Sequence, residues 1–214
     1  MTRAVGGGGL WAEGSAWLAT QPAFGPWVDR IGPIDYTLSD EPPFEYLVRS
    51  IVYQQLAGAA AATIHGRVCA VLDEHVSPAT ILQADPDALR AAGLSRAKLR
   101  AVSDLAGRVE GGELRLDLAE LAELTDDAIV ERLSQVWGVG QWTARMFLMF
   151  RLGRPDVWPA GDLGVRSGWA RIHGLDERPD ARALSEGAEH LSPHRSAAAW
   201  YCWRALELTD PPES

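Results

Sequence analysis

Val136-Trp137-Gly138-Val139-Gly140-Gln141-Trp142-Thr143-Ala144, followed further along by Pro159-Ala160-Gly161-Asp162, is the part of the chain that decides its fold. Gly138 and Gly140 stand where one helix should end and another begin. Asp126, Asp127 and Glu131 mark the earlier helix, and Trp142, Phe147 and Phe150 seed the later one. Two glycines two apart let the chain reverse in a hairpin and leave backbone N–H groups unobstructed at a helix N-terminus. Such a corner receives a phosphate without any lysine.

Around this stretch the pattern is helical. Pro42-Pro43 opens a helix with Phe44, Leu47, Val48, Ile51 and Val52 at helical spacing. Ala57 to Leu72 reads as a second, Ala-rich helix. Asp85-Pro86 caps a short helix that Gly93 ends, and Ser95 starts one running through Leu99, Val102 and Leu105. Thr125-Asp126-Asp127 caps the helix leading into the hairpin. Gln141 to Leu152, Leu163 to His173, Pro179 to Glu189 and Pro193 to Leu206 complete the set. Strand-like alternation is scarce, with Ile34–Leu38 or Leu114–Leu116 the candidates for a short extended piece. Gly6–Gly9 reads as a disordered lead and Pro211–Ser214 as a loose tail.

The 214 residues, 47% of them apolar, suffice for one domain or two closely packed lobes with a real core. Met1 to Leu10 carries one Arg and no apolar stretch of the signal-peptide kind, and no run approaches a membrane span. Cys69 and Cys202, two and far apart, read as reduced core thiols of a cytosolic protein, too few for a four-cysteine iron–sulfur cluster. No Cys-x-x-Cys pair accompanies the five histidines, and no cofactor is expected.

A net charge of −9 argues at first against nucleic acid. Its distribution softens the objection. Ser134 to Arg204 holds nine Arg against seven acidic residues, so the remainder carries 11 basic and 22 acidic. Arg90, Arg96, Lys98, Arg100 and Arg108 face only Asp104 in their stretch, while acid collects in Glu110 to Glu131. An acidic back with a near-neutral front suits a protein that grips DNA through backbone amides. Charge does not decide the case.

The hairpin between two helices, with an Asp at this spacing, resembles that of the helix-hairpin-helix DNA repair glycosylases, and within them the 3-methyladenine DNA glycosylase II branch. The resemblance also rests on Ile51-Val52-Tyr53-Gln54-Gln55-Leu56, Gly93-Leu94-Ser95-Arg96-Ala97-Lys98, Asp156-Val157-Trp158-Pro159-Ala160-Gly161-Asp162-Leu163-Gly164 and Pro193-His194-Arg195-Ser196-Ala197-Ala198-Ala199-Trp200-Tyr201. It implies an all-α, two-lobed fold with the DNA and the base pocket in the cleft between lobes. The lead and first helices, 1–40, would pack on the C-terminal lobe. Residues 41–69 would join 151–210 in that helical lobe, and 70–150 would form the hairpin lobe. With only about forty residues ahead of Pro42, the compact form without an N-terminal β domain is expected.

The resemblance further implies a monofunctional, cytoplasmic base excision repair enzyme of the bacterial cytosol or nucleoid, a monomer acting on duplex DNA with a damaged base. Asp162 corresponds to the catalytic aspartate. It also reads as an N-cap of the run to Ile172, and the two roles agree, because a helix N-terminus stabilises the ionised carboxylate. That anion would stabilise an oxocarbenium-like sugar and assist water. Gly161 stands where some relatives carry a second Asp. An alkylated purine, already cationic, leaves without strong acid help.

Trp142 occupies the position of the Schiff-base lysine of strand-nicking relatives. The only lysine, Lys98, is expected to lie away from any motif of the cleft. Trp142, Met146 and Trp203 are the base-pocket candidates, since an indole stacked on a cationic base gains cation–π energy. Met146 stands where some relatives carry Tyr. Gln54, Gln55 or Leu56 would plug the gap left by a flipped nucleotide, with Gln55 preferred. Gly138, Gly140 and Thr143 would contact DNA, and the carbonyls of Ser134, Val136 and Val139 would hold a monovalent cation. Arg195 and Ser196 receive no direct role. Two other readings stay open: a glycosylase for deaminated bases such as uracil or hypoxanthine, and a non-catalytic DNA-binding protein in which Asp162 is only a cap.

Overall fold

The computed structural model describes residues Leu10–Thr209. Gly6–Gly9 and Pro211–Ser214, expected as lead and tail, lie outside them. Among the described residues there are thirteen α-helices and no strand, and the segments 34–38 and 114–116 are irregular backbone. The all-helical reading is correct.

The chain divides into two compact units, 1–38 with 148–214 and 39–147. The second holds α3 (Pro43–Tyr53), α4 (Gly58–Val71), α5 (Pro78–Gln83), α6 (Pro86–Ala91), α7 (Arg96–Glu110), α8 (Leu118–Glu123), α9 (Asp126–Ser134) and most of α10 (Gln141–Phe150). Each of α5 to α9 starts on a side-chain cap. Ser77 and Thr80 form a reciprocal capping pair, and Asp85, Ser95, Asp117 and Thr125 accept from amides one turn ahead. The apolar face of α7 (Ala101, Val102, Leu105, Ala106) is buried, and α3, α5 and α6 pack on this helix. The helices α5 and α8, six residues each, carry too few apolar positions for a helical period to be read in sequence.

The other unit holds α1 (Ala12–Leu18), α2 (Gly25–Ile31), α11 (Leu163–Ile172), α12 (Ala181–Gly187) and α13 (Arg195–Ala205). Its centre is α13, which buries Ser196, Ala197, Ala198, Ala199, Tyr201, Cys202 and Ala205 and packs against α1, α2 and α11. A helix with small side chains on most sides lets its neighbours approach closely. Tyr201 brings the one large polar ring, with its hydroxyl bonded to the Ser15 hydroxyl and donating to the Gly32 carbonyl.

Residues 41–69, expected with 151–210, instead fall in the unit that carries the hairpin. The reason lies in long-range bonds that a sequence does not display. Lys98 Nζ donates to the Val52 carbonyl at 2.6 Å, and Gln54 Nε2 donates to the Gly138 carbonyl at 3.1 Å. Both tie the end of α3 to that unit.

Candidate functional site

The hairpin follows α9. The Val136 amide donates to the Leu133 carbonyl and Val139 donates back to Val136 at 3.0 Å, closing a tight turn over Trp137 and Gly138. Gly138 has φ +81°, in the left-handed region, and a methyl there would meet Ala101 Cβ at 3.0 Å. Glycine is therefore demanded by the fold at this position. Gly140 differs: a methyl there would meet nothing within 4 Å and its backbone is ordinary. It stands at the opening of α10, where amides have no preceding intrahelical carbonyl.

Two side chains from distant sequence brace this turn. Asp104 Oδ2 accepts from the Trp137 amide at 2.8 Å and from Arg108 Nε at 2.9 Å. Burial pushes the Asp104 carboxyl up, but these donors, with the Arg108 and Arg100 charges, outweigh it and hold it below the usual carboxylate range. On the other side, Gln54 Nε2 reaches the Gly138 carbonyl and, at 3.2 Å, Thr143 Oγ1. The Arg100 guanidinium lies 4.3 Å over the exposed Trp137 ring. Sequence reading missed all three roles. Asp104 and Arg108 are legible as an i,i+4 pair, but the bond to Trp137 spans 33 positions.

Thr143, expected at DNA, is 5% exposed, and its hydroxyl is engaged by Gln54. Its side chain faces inward because the first turn of α10 packs on the α3 corner. Gln54, one of three wedge candidates, is a strut for the same reason. Gln55 is exposed, with φ +58°, and Leu56 is exposed beside it. Lys98, expected away from the cleft motifs, instead lines a small cavity with Gln54, Gln55, Trp137 and Gly138, and burial pushes its pKa down.

Trp142 and Met146 share a face of α10, as their spacing requires. With Arg49, Tyr53, Gln54 and Gln55 they line an open pocket of about 540 Å³. Trp142 is 49% exposed, unusual for an indole, whereas Met146 is buried at the pocket wall. Arg49 is held by Glu41 at 2.8 Å and lies over the Tyr46 and Tyr53 rings. Cys69, expected in the core, is only part-buried on α4. Cys202 is fully buried, and burial pushes its thiol far up.

In the other unit Asp162 caps α11. Its Oδ1 accepts from the Val165 amide and from Trp203 Nε1, each at 2.8 Å. Trp203, the third base-pocket candidate, lays its half-buried indole across the first turn of α11, so close that a methyl at Gly164 would meet Cδ1 at 2.7 Å. One turn on, a methyl at Gly168 would sit 1.9 Å from the Cys202 carbonyl oxygen. The loop before Asp162 is pinned by the start of α13. Arg195 Nε and a second guanidinium nitrogen bind the two Asp156 oxygens at 2.7 and 2.8 Å. Ser196 Oγ donates to the Arg154 carbonyl and accepts from the Val157 amide. Arg195 and Ser196 are thus structural, and α13 supports both ends of the segment that carries Asp162.

An all-helical chain with a glycine hairpin and a carboxylate at a helix start defines a class, and the chain matches it over residues 48–194: it belongs to the HhH-GPD superfamily of base excision DNA repair proteins. Among its relatives, DNA-3-methyladenine glycosylase 1 of Schizosaccharomyces pombe is 33% identical over 176 residues, covering 81% of this chain and 77% of that protein. A solved S. pombe 3-methyladenine DNA glycosylase in complex with abasic DNA superposes with a TM-score of 0.82 at 29% identity, covering 94% of this chain and 100% of the other. The Bacillus halodurans DNA-3-methyladenine glycosidase gives a TM-score of 0.75 at 32% identity, covering 87% and 90%.

Proposed function

We propose that this protein is a monofunctional DNA glycosylase that hydrolyses the N-glycosidic bond of alkylated purines, 3-methyladenine among them, and leaves the strand intact. The observation that carries the reading is the Asp162 carboxylate, held by the Val165 amide and the Trp203 indole N–H. Both donors hold its Oδ1 oxygen in a fixed place. As the bond to the base breaks, the sugar gains positive charge, and a fixed anion stabilises that state and orients the attacking water. Gly161 supplies no second carboxylate, which fits a leaving base that is already cationic.

For the base, the reading assigns Trp142 and Met146, whose pocket offers an exposed indole face to a cationic ring. For the gap left in the duplex it assigns Gln55, since Gln54 is engaged by the hairpin. For the phosphate backbone it assigns the amides at Gly138, Gly140 and the first turn of α10, in which Thr143 takes part through its backbone. Gly140, needed neither for backbone conformation nor for internal packing, is explained if something outside the protein must come close. The absence of a lysine at Trp142 supports the lack of strand cleavage. Ser134, Val136 and Val139 suit a monovalent cation. All three line one depression at the hairpin, and the Ser134 hydroxyl is the one buried side-chain polar atom without a partner among the described residues. A cation there would add positive charge at the hairpin, and no step of the hydrolysis depends on it.

Asp162→Asn tests the reading. Asn caps helices as well as Asp, so the melting temperature should hold, while base release from a methylated duplex should fall at least ~100-fold, the scale for one electrostatic stabiliser. Release at near wild-type rate would sink the assignment.

A further inference from the structure

We propose that Trp203 is a positioning residue for Asp162, setting the plane of the carboxylate. The proposal rests on the catalytic reading of Asp162 and goes beyond it. Three observations carry it. The Trp203 indole N–H, a donor with no acceptor function, ends on Asp162 Oδ1 at 2.8 Å. The Val165 amide ends on the same oxygen at 2.8 Å. An N-cap bond alone still lets a carboxyl group swing about its last torsion, a broad twofold rotor. A second donor, from a different helix and onto the same oxygen, fixes the plane and so the direction of Oδ2.

The ring itself is held. Phe150 lies beside it, with centroids 5.9 Å apart, and Gly164 leaves it just enough room against α11. The closeness has a backbone cause. Gly168 allows the Cys202 carbonyl to touch α11, which brings the next residue, Trp203, over the first turn. Its polar edge is spent on the carboxylate.

The test uses Trp203→Phe, which keeps an aromatic ring and removes the donor, and Gly164→Ala, which keeps the donor and displaces the ring. Single-turnover release of 3-methyladenine and of 7-methylguanine from methylated duplex is measured, with binding to an abasic-analogue duplex. Both variants should slow release about 10-fold or more, the scale of a hydrogen bond to a charged group. The factor should be the same for both bases, with binding within twofold of wild type, because the missing contact concerns the sugar's charge and not the base. In an Asp162→Asn background Trp203→Phe should cost nothing further. Release slowed for one base much more than the other, or slowed equally with and without Asp162, would overturn the proposal, as would full activity of Trp203→Phe. If Trp203→Phe does not fold, benzothienylalanine at this one position removes the N–H at constant shape and is read by the same criteria. Failure of the catalytic reading shows separately, as an active Asp162→Asn.

Discussion

Gly168→Ala should cost both stability and activity, although by helix propensity alone it should help. Alanine in a helix interior is worth about 0.5–1 kcal/mol over glycine. Against this stands the Cys202 carbonyl oxygen, 1.9 Å from the added methyl, with its carbon at 2.4 Å. If about 3.3 Å is the closest tolerated C···O approach, α11 and α13 must separate by roughly 1.4 Å. The obstacle is backbone and cannot rotate away, so the cost belongs near the top of the overpacking range of about 1–3 kcal/mol. The clash therefore wins by about 2 kcal/mol. At this chain length that is a melting temperature lower by roughly 4–8 °C. The same displacement would stretch the 2.8 Å Trp203–Asp162 bond beyond hydrogen-bonding range. Base release should fall to the level of Trp203→Phe, while an apolar change away from this crossing leaves it alone. Thermal melts and single-turnover release check both parts. An unchanged or higher melting temperature would refute the steric argument, and wild-type release at lowered stability would refute its link to Asp162.

Gly140→Val should fold normally yet bind undamaged and abasic-analogue duplex more weakly, whereas Gly138→Val should lose stability first, because only Gly138 has φ > 0. The wild-type salt slope should correspond to roughly 2–4 phosphates, since amides carry the contact, and a steeper slope or unimpaired Gly140→Val removes the hairpin as anchor. Borohydride added during turnover should trap no covalent protein–DNA adduct. Any adduct would sink the monofunctional reading, and one lost in Lys98→Arg would assign it to Lys98, the only lysine. Burial, against the Trp169 ring 3.9 Å away and the Phe24 edge, pushes the His173 pKa below 6.5, more than its hydrogen bond to the Trp169 carbonyl raises it. Its contribution is thus fully present above pH 6.5 and lost as pH falls toward the depressed folded value, because the unfolded chain takes up the proton first. Denaturant midpoints from pH 8 to 5 should fall less steeply in His173→Gln, and an identical slope would contradict this.

The sequence by itself determined what neighbouring residues settle among themselves. Ser95, Thr125 and Asp162 announce helix starts because a capping oxygen and its amide are three positions apart. The glycine pair announces the hairpin because a left-handed turn needs no partner elsewhere in the chain. The spacing of Trp142 and Met146 puts both on one face of a single helix. Tertiary structure decided which distant atoms complete these devices. Gln54 read as one of three wedge candidates, behind Gln55, until its amide met the Gly138 carbonyl, 84 positions away. Asp104 read only as the lone acid of a basic stretch until it took the Trp137 amide. Trp203 read only as an aromatic, and the structure ends its N–H on Asp162, 41 positions back. Local geometry fixes the direction of a backbone and the face of a helix. Which side chain reaches which atom depends on how distant elements pack; for Trp203 and Asp162 that is how closely α11 and α13 approach, a closeness set by Gly164 and Gly168, whose lack of a side chain leaves no periodic signal to read.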